Sequence, residues 1–434
     1  MTARWLPGAG GEPDAFRIRP GAEDVAHLST GFDDDEGERS DPPIPLPYGL
    51  RASAQLLALA GGGLARLPVE VRIAGLARVA RSWRDPADAL RRRAVAELPD
   101  ELGLSPEMVE WALDAAFSVV TRDALASWWS RDGGDVGSGL SAHIWAGNVF
   151  VAGLPPVMAS LLAGVPALIK APSEYPSFAA LFAQSVALHA PEFGPCVGAA
   201  AWSRDDALST QALLGADLAF VFGDDASVSA VRGMARDGCQ VHGFGHRVSV
   251  GLVAADVDDS ALVGLLEDCL AYDGAGCLTP RWVFAVGDMA AAIALARRAM
   301  SFAPGVAARL PGRPLDDAAA AARAQYVGVV GFGGIADAGA GWCVSAQAGL
   351  EPAPPARTLC FVPVGSAAEV GAKVGPLGHT LQGLALAGVD AEAVQGLGVQ
   401  GLSLIAAPGA LQVPPLAWDH DGVSVLGVFT GGSS

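Results

Sequence analysis

A chain of 434 residues supplies two or three domains of ~100–200 residues each, and with 51% apolar and 17% charged residues it has ample material for large buried cores, which excludes a disordered protein. Its formal charge is −18, from 46 acidic against 28 basic residues, and only Lys170 and Lys373 are lysines. A surface this acidic argues against nucleic acid and anionic membrane as main partners, although a local arginine pocket can still hold a phosphate.

Residues 1–48 read as an acidic, proline-rich tail or arm. Ten acids face four arginines there, and the run 33–41 is followed by Pro42, Pro43, Pro45 and Pro47, which fit neither helix nor central strand. No apolar secretory core occurs near the start, so a cytoplasmic protein is expected. Residues 49–134 carry a helical period, with helices over 69–83, 85–98, 105–120 and 121–129. Ser105-Pro106-Glu107 and Asp85-Pro86 each place a capping side chain before a proline at the first helical position.

Alternation sets in after Gly134. Short apolar runs at 141–145, 167–170, 197–201, 218–222 and 248–253 are separated by helical stretches at 156–163, 177–190, 206–214 and 226–236, which predicts βαβ units and a parallel sheet. Residues 136–169 hold no Asp, Glu, Lys or Arg, a run longer than the ~20 residues that span a bilayer. Pro155, Pro156 and Pro166 with Gly147, Gly153 and Gly164 cut it into short pieces, so a buried strand–loop–helix–strand is expected and no transmembrane segment.

The domains expected are thus the helical region 49–134, an α/β domain over 135–246, a second over 247–400, and a C-terminal segment over 401–434 that ends in a strand at 423–429. The second α/β domain is read as helix 260–270, strand 281–286, helix 289–300, and strands 325–330 and 358–364.

Six cysteines are scattered without a CxxC pair, the usage of a reducing compartment. Cys277 follows Tyr272-Asp273-Gly274-Ala275-Gly276 and leads into a strand. Two glycines before a thiol let backbone approach a substrate and leave amides to face a developing oxyanion; a buried turn cysteine is the other reading, and composition leaves both open. Cys269, within a helix, reads as core. Cys239, His242 and His246 have a metal-like spacing without a fourth ligand, so no metal is expected, and their glycines read as a turn before the next strand. Gly331-Phe332-Gly333-Gly334-Ile335-Ala336 imitates a dinucleotide fingerprint, but the glycine-rich sequence after it cannot make the required helix. It reads as a tight turn after a strand. Asn148 ends an apolar run as an amide or a turn-former. Lys170 stands at the carboxyl end of a strand, as a phosphate or ribose ligand or a solvated strand end.

In order and spacing, these segments resemble the acyl-CoA reductase branch of the aldehyde dehydrogenase superfamily, the long-chain fatty acyl-CoA reductases of bacterial luminescence systems. The resemblance runs from about Leu46 to Leu426. It is carried by His143-Ile144-Trp145-Ala146-Gly147-Asn148, Leu168-Ile169-Lys170-Ala171-Pro172-Ser173-Glu174, Phe222-Gly223-Asp224, Gly243-Phe244-Gly245-His246-Arg247-Val248-Ser249, Cys277, the segments Gly333-Gly334 and Gly341-Trp342, and residues 408–422.

The resemblance implies two doubly wound α/β domains, one nucleotide-binding and one catalytic, beside a helical N-terminal region. It implies Cys277 as nucleophile and Asn148 as oxyanion donor, with Lys170, Ser173, Gly223 and Gly147 at the cofactor. His246, Arg247, His420 and Asp421 fall on loops of the active site, the last two as proton carriers or scaffolding. Two superfamily glutamates have no counterpart: Gly243 or Phe244 stands at the general base, and Arg357 at a cofactor-orienting position. Thioester exchange needs no activated water, whereas hydrolytic aldehyde oxidation does. Ser173 replaces an acid common in NAD-preferring members, which tolerates a 2′-phosphate.

The implied reaction is NADPH-dependent reduction of a long-chain fatty acyl-CoA or acyl thioester to the fatty aldehyde through a Cys277 acyl-enzyme whose thiol pKa is lowered by amide donors. The alternatives are an NAD(P)-dependent aldehyde oxidiser and a catalytically silent scaffold. A homo-oligomer, formed through the C-terminal strand, and an acyl-transferase or synthetase partner are also implied.

Overall fold

The computed structural model describes residues 4–5, 57–58, 62–137, 139–203, 206–375, 380–390, 394 and 401–431. The expected acidic tail lies outside these apart from Arg4 and Trp5, the strand β1. Two compact units divide the chain, one of residues 1–102, 116–245 and 423–434, the other of 103–115 and 246–422.

Four helices come next: α1 (Val69–Arg84), α2 (Ala89–Leu102), α3 (Pro106–Ser118) and α4 (Arg122–Asp132). The Ser105 and Thr121 hydroxyls accept the Met108 and Ala124 amides, each at 3.1 Å, and so satisfy donors that a helix start leaves open. Asp85 closes a turn onto Ala87 at 2.9 Å instead of capping a helix, and Asp88 does the capping by accepting Leu90 at 2.8 Å.

In the first unit the sheet order is β1-β4-β3-β2-β5-β6, with β2 (Ser141–Ile144), β3 (Ala167–Ala171), β4 (Val197–Ala201), β5 (Leu218–Phe222) and β6 (Gln240–Phe244) all parallel and β1 antiparallel to β4. Helices α5 (Leu154–Ala163), α6 (Ser177–His189), α7 (Ala207–Leu213) and α8 (Asp225–Met234) connect the strands. The uncharged run 136–169 is therefore β2, a loop, α5 and β3. No helix among the described residues is long and apolar enough to cross a membrane.

Strand β6 corrects the expected turn at Cys239–His246. Gln240-Val241-His242-Gly243-Phe244 is an edge strand whose first four residues are not buried, so it lacks the continuous apolar signature of its neighbours. Leu168, Ala219 and Val221 centre the core on one face of this sheet.

The second unit holds the order β13-β12-β7-β8-β11-β10-β9, parallel except for the hairpin β9–β10. Its elements are β7 (Val248–Val253), α9 (Asp259–Leu270), β8 (Pro280–Val286), α10 (Met289–Arg309), α11 (Asp317–Val330), β9 (Ile335–Gly339), β10 (Trp342–Ala346), β11 (Thr358–Val364), α12 (Ala368–Val374), β12 (Leu381–Ala387) and β13 (Leu404–Ala406). Leu252, Phe284 and Val362, fully buried on adjacent strands, each contribute about 1.5–3 kcal/mol of burial.

Two expected strands are helices. Residues 325–330 form the last turns of α11, which buries Arg323, Tyr326 and Val330 at helical spacing after an Asp316 cap. The glycine turn therefore follows a helix, and Gly334 is required there because a Cβ would meet the Ala346 carbonyl oxygen at 2.0 Å. The expected terminal strand 423–429 is helix α13 (Val425–Thr430), started by Ser424 accepting the Gly427 amide and buried through Val425, Leu426 and Phe429. A short apolar run fits either period, and the cap decides it. That segment offers no strand for pairing between subunits.

Candidate active site

Cys277 sits between α9 and β8. After Leu270 the chain makes one 3-10 turn in which Tyr272 and Asp273 take left-handed φ values of 50° and 55°. Such angles cost a non-glycine residue about 1–2 kcal/mol, so something must hold them. Arg357 does so: its Nη1 donates to the Asp273 carboxylate at 3.1 Å and to the Leu270 carbonyl at 2.7 Å, and its Nη2 to the Leu310 carbonyl at 2.7 Å. Arg313 adds a bond to Asp273 at 2.8 Å, and the Tyr272 ring stands edge-on to Trp111. Gly274 follows at φ 69°, where a Cβ would lie 2.8 Å from the Arg357 nitrogen.

The thiol that this turn presents is only partly covered, whereas Cys196, Cys269, Cys343 and Cys360 are buried. Burial pushes the Cys269 thiol up to about 12 and the Cys343 thiol to about 11. Burial raises the Cys277 thiol as well, with the Asp421 charge adding to it, against a hydrogen bond from the Arg247 main-chain N–H to the sulfur, the Arg247 charge and its own amide. The expectation of a lowered thiol pKa is thus overturned, because the amide donors are present but desolvation outweighs them.

Two strands, β7 and β12, bring three further residues to this region. Ser249, fully buried on β7, donates its hydroxyl to the Cys277 carbonyl at 2.9 Å. Arg247, just before β7, brings Nε to 3.1 Å from Asp421 Oδ2. Gln382 on β12 donates Nε2 to Asp421 Oδ1 at 2.6 Å. Gln382 reaches it because β12 carries one extra residue against β7: Leu381 pairs with Val248 and Gly383 with Ser249, so Gln382 is left over. Gly383 completes the fit, since a Cβ there would press on the Ser249 hydroxyl at 2.6 Å. Neither Gln382 nor Ser249 was singled out in the sequence as a site residue; Ser249 was visible only as the end of a motif, and Gln382 not at all.

The loop bearing His420 and Asp421 is tied to the same region. Asp268, buried at the end of α9, accepts the Gly409 and Gln412 amides at 2.7 and 3.2 Å, and Gln412 Nε2 returns to the Asp268 carbonyl at 2.9 Å. Trp418 stacks on His420 at 4.4 Å and anchors its indole N–H on the Ser403 carbonyl at 2.8 Å. Burial lowers the His420 imidazole to about 4, against the pull of Asp421, so it is neutral at pH 7. Asp421 itself adopts φ 54°. His246 is exposed, and its carbonyl accepts Arg247 Nη1 at 3.0 Å.

The remaining candidates belong to the first unit. The ends of β3, β2 and β5 are in register, with Lys170 beside Ile144 and Ile144 beside Val221. β2 is followed on one side by β3 and β4 and on the other by β5, so the loops after β2 and β5 flank the point where the winding reverses, the usual ligand crevice of such sheets. Gly147 and Asn148 lie on the first of those loops and Gly223 on the second, while Ser173 is exposed just beyond β3. The Lys170 ammonium lies 5.9 Å from the Trp202 ring.

At the residues where the resemblance would set a general base there is little room: a Cβ on Gly243 would come within 2.1 Å of Val228, and Phe244 is buried against Phe222. Among the described residues no group of three His, Cys, Asp or Glu side chains is placed to hold a metal ion.

The family model described as acyl-CoA reductase (LuxC) matches residues 133–430. The chain belongs to the LuxC acyl-CoA reductase family. A long-chain acyl-protein thioester reductase of Aliivibrio fischeri is 25% identical over 233 residues, 48% of this chain and 49% of that protein, so the match spans about half the length of that relative. Among solved structures, an NAD-dependent aldehyde dehydrogenase from Sinorhizobium meliloti superposes with a TM-score of 0.61 at 17% identity, covering 83% of this chain and 79% of the other. An NADP-dependent enzyme of E. coli gives 0.62 at 14%, covering 85% and 84%. The fold of this LuxC-family chain is aldehyde dehydrogenase-like.

That fold family implies a nicotinamide dinucleotide, and the first unit suits one in part. A Cβ on Gly147 would meet the Tyr175 ring at 2.8 Å, so the loop after β2 is shaped for bare backbone. Helix α5 starts at that loop with Gly153 as cap and no acid in its first turn, but the Leu154 N–H is spent on the Val151 carbonyl at 3.0 Å and Pro155 and Pro156 have no N–H, so it offers an anion its dipole and no free amide at these positions. The start of α8 is different. Asp224 caps it, Asp225 stands in its first turn, and the Gly223 amide is spent on the Phe244 carbonyl at 3.2 Å. Phosphates gain nothing there.

Proposed function

We propose that this chain reduces an acyl thioester, on CoA or on a protein thiol, to the aldehyde. The observation that carries the reading is the Cys277 sulfur, which follows a strained turn and is hydrogen-bonded by the Arg247 amide, with buried Ser249 and Gln382 and half-buried Arg247 and Asp421 around it. The Cys277 sulfur attacks the thioester carbonyl carbon, the carbon–sulfur bond to the leaving thiol breaks, and an acyl-enzyme results. A bound nicotinamide supplies one hydride to the acyl carbon. The Cys277 amide and, on the family resemblance, the Asn148 side chain hold the oxyanion that follows, each such donor being worth roughly 3–4 kcal/mol. Collapse releases the aldehyde and the Cys277 thiolate.

The lack of room at Gly243 and Phe244, where the resemblance would set a base, favours this over aldehyde oxidation, which needs an activated water. Lys170 and Ser173 suit the ribose end of NADPH, because no carboxylate at Ser173 repels a 2′-phosphate. The A. fischeri relative's name speaks for a long acyl chain. A cytoplasmic homo-oligomer working with an acyl-supplying enzyme completes the reading.

Mixing the protein with an acyl-CoA and no nicotinamide tests it. Wild type is expected to gain the mass of the acyl group at Cys277, and Cys277→Ser to gain none and to oxidise no NADPH. Turnover of acyl-CoA and NADPH by Cys277→Ser at the wild-type rate would end the proposal.

A further inference from the structure

Acylation of a thiol whose pKa is raised by burial needs a group to take the proton, and the superfamily's base position holds only Gly243 and Phe244. We propose that Asp421 is the proton acceptor for Cys277 during acylation, with Arg247 and Gln382 as its positioning residues. The inference rests on the reading of Cys277 as the acylated nucleophile.

One residue spans the two reacting groups: Arg247 gives its main-chain N–H to the Cys277 sulfur, and its guanidinium forms an ion pair with Asp421, Nε lying 3.1 Å from Oδ2 without hydrogen-bond geometry. The carboxylate is used unequally. Oδ1 is fixed by Gln382 at 2.6 Å, whereas Oδ2 is buried and receives no hydrogen bond, so it keeps a lone pair to accept a proton. The main chain holds Asp421 at φ 54°, a conformation that costs energy and that its neighbours impose. An anion beside a thiol opposes the thiolate, so Asp421 hinders a nucleophile formed in advance and helps only one that surrenders its proton as it attacks.

The other polar groups of this region are chemically less suited to the role. His420 is a weak base stacked on Trp418, the Ser249 hydroxyl is turned to the Cys277 carbonyl, Arg247 has no lone pair, and His246 is exposed. Asp419 lies on the same loop as His420 and Asp421.

The step balances without any redox partner. As the sulfur–carbon bond forms, the thiol proton passes to Asp421 Oδ2. As the tetrahedral adduct breaks its bond to the leaving sulfur, that thiolate takes the proton from Asp421, and the carboxylate is restored. After hydride transfer the Cys277 thiolate, released with the aldehyde, takes its proton from water.

The test uses the full chain with octanoyl-CoA and no nicotinamide, following acylation of Cys277 by intact mass between pH 6.5 and 8.5. Asp421→Asn keeps the shape, and asparagine tolerates the left-handed backbone. Acylation by the variant is expected to be ~100-fold slower at pH 7 and to rise about tenfold per pH unit with the thiolate fraction, while wild type rises far less. Iodoacetamide labelling of Cys277 at pH 7 is expected to become faster in the variant, because the opposing charge is gone. A variant acylated at the wild-type rate and with its pH profile overturns the role of Asp421 and leaves Cys277 as nucleophile. Joint loss of acylation and labelling also overturns it, since the carboxylate would then only hold the thiol in place. Absence of any adduct on wild type overturns instead the reading on which the inference rests.

Discussion

Arg357 shows how one residue can serve a site without touching substrate. Its side chain is 3% exposed, its own φ is 57°, and it donates to Asp273 and to the carbonyls of Leu270, Leu310 and Gly341. Where the superfamily resemblance leads one to look for a cofactor-orienting glutamate, this chain has a cation that locks the turn before Cys277. Replacing it by methionine leaves Asp273 with Arg313 alone and strands three carbonyls. Arg357→Met is expected to lower stability by about 3–5 kcal/mol in urea denaturation, the cost of removing one partner of a buried pair. A loss below ~1 kcal/mol would mean that the turn holds itself.

At the scale of elements, the anchoring of the C-terminal loop on α9 has a pH signature. Burial pushes the Asp268 carboxyl up to about 7 although the Gly409, Leu411 and Gln412 amides all favour its charge. An unfolded aspartate titrates near 3.9, so the folded protein binds this proton more tightly. The stability it gives is complete below pH ~4, falls as pH rises through 7, and is constant above. The linkage is worth up to about 4 kcal/mol across that range. Measured as the difference between wild type and Asp268→Asn at each pH, wild type is expected to lose stability relative to the variant from pH 4.5 to 7. A difference independent of pH would show that Asp268 stays ionised.

Much of this scale was legible in the sequence. β4, β5, β7 and β11 occupy the residues expected, because strands covered on both faces are short and continuously apolar. The edge strand β6 and the hairpin β9–β10 were not legible, since Gln240, His242 and the glycines of 331–341 spoil that signal. Of the candidate site, Cys277 stood out by its glycines, which fit a nucleophile and a buried turn cysteine alike, and the resemblance supplied the preference. Gln382 did not stand out, because its reach comes from a strand register that no local pattern records.

For the whole molecule the decisive quantity is the charge of −18 on a protein proposed to bind an anionic thioester. Like charges slow their encounter, and salt relieves this as the Debye length falls from about 30 Å at 0.01 M to about 8 Å at 0.15 M. kcat/KM for an acyl-CoA is expected to rise a few-fold, ~2–5, across that interval, and for an uncharged thioester to stay flat. A fall with salt for acyl-CoA would point to a local basic landing site that outweighs the net charge.

The surplus residue in β12 also bears on how this protein can fail. Deleting it would let the strand pair regularly with β7 and would cost the sheet little. Asp421 would lose its tether from Gln382, and the carboxylate would be aimed by its ion pair with Arg247 alone. Such a variant would express, fold and bind as before, and its defect would surface only when someone timed the first chemical step.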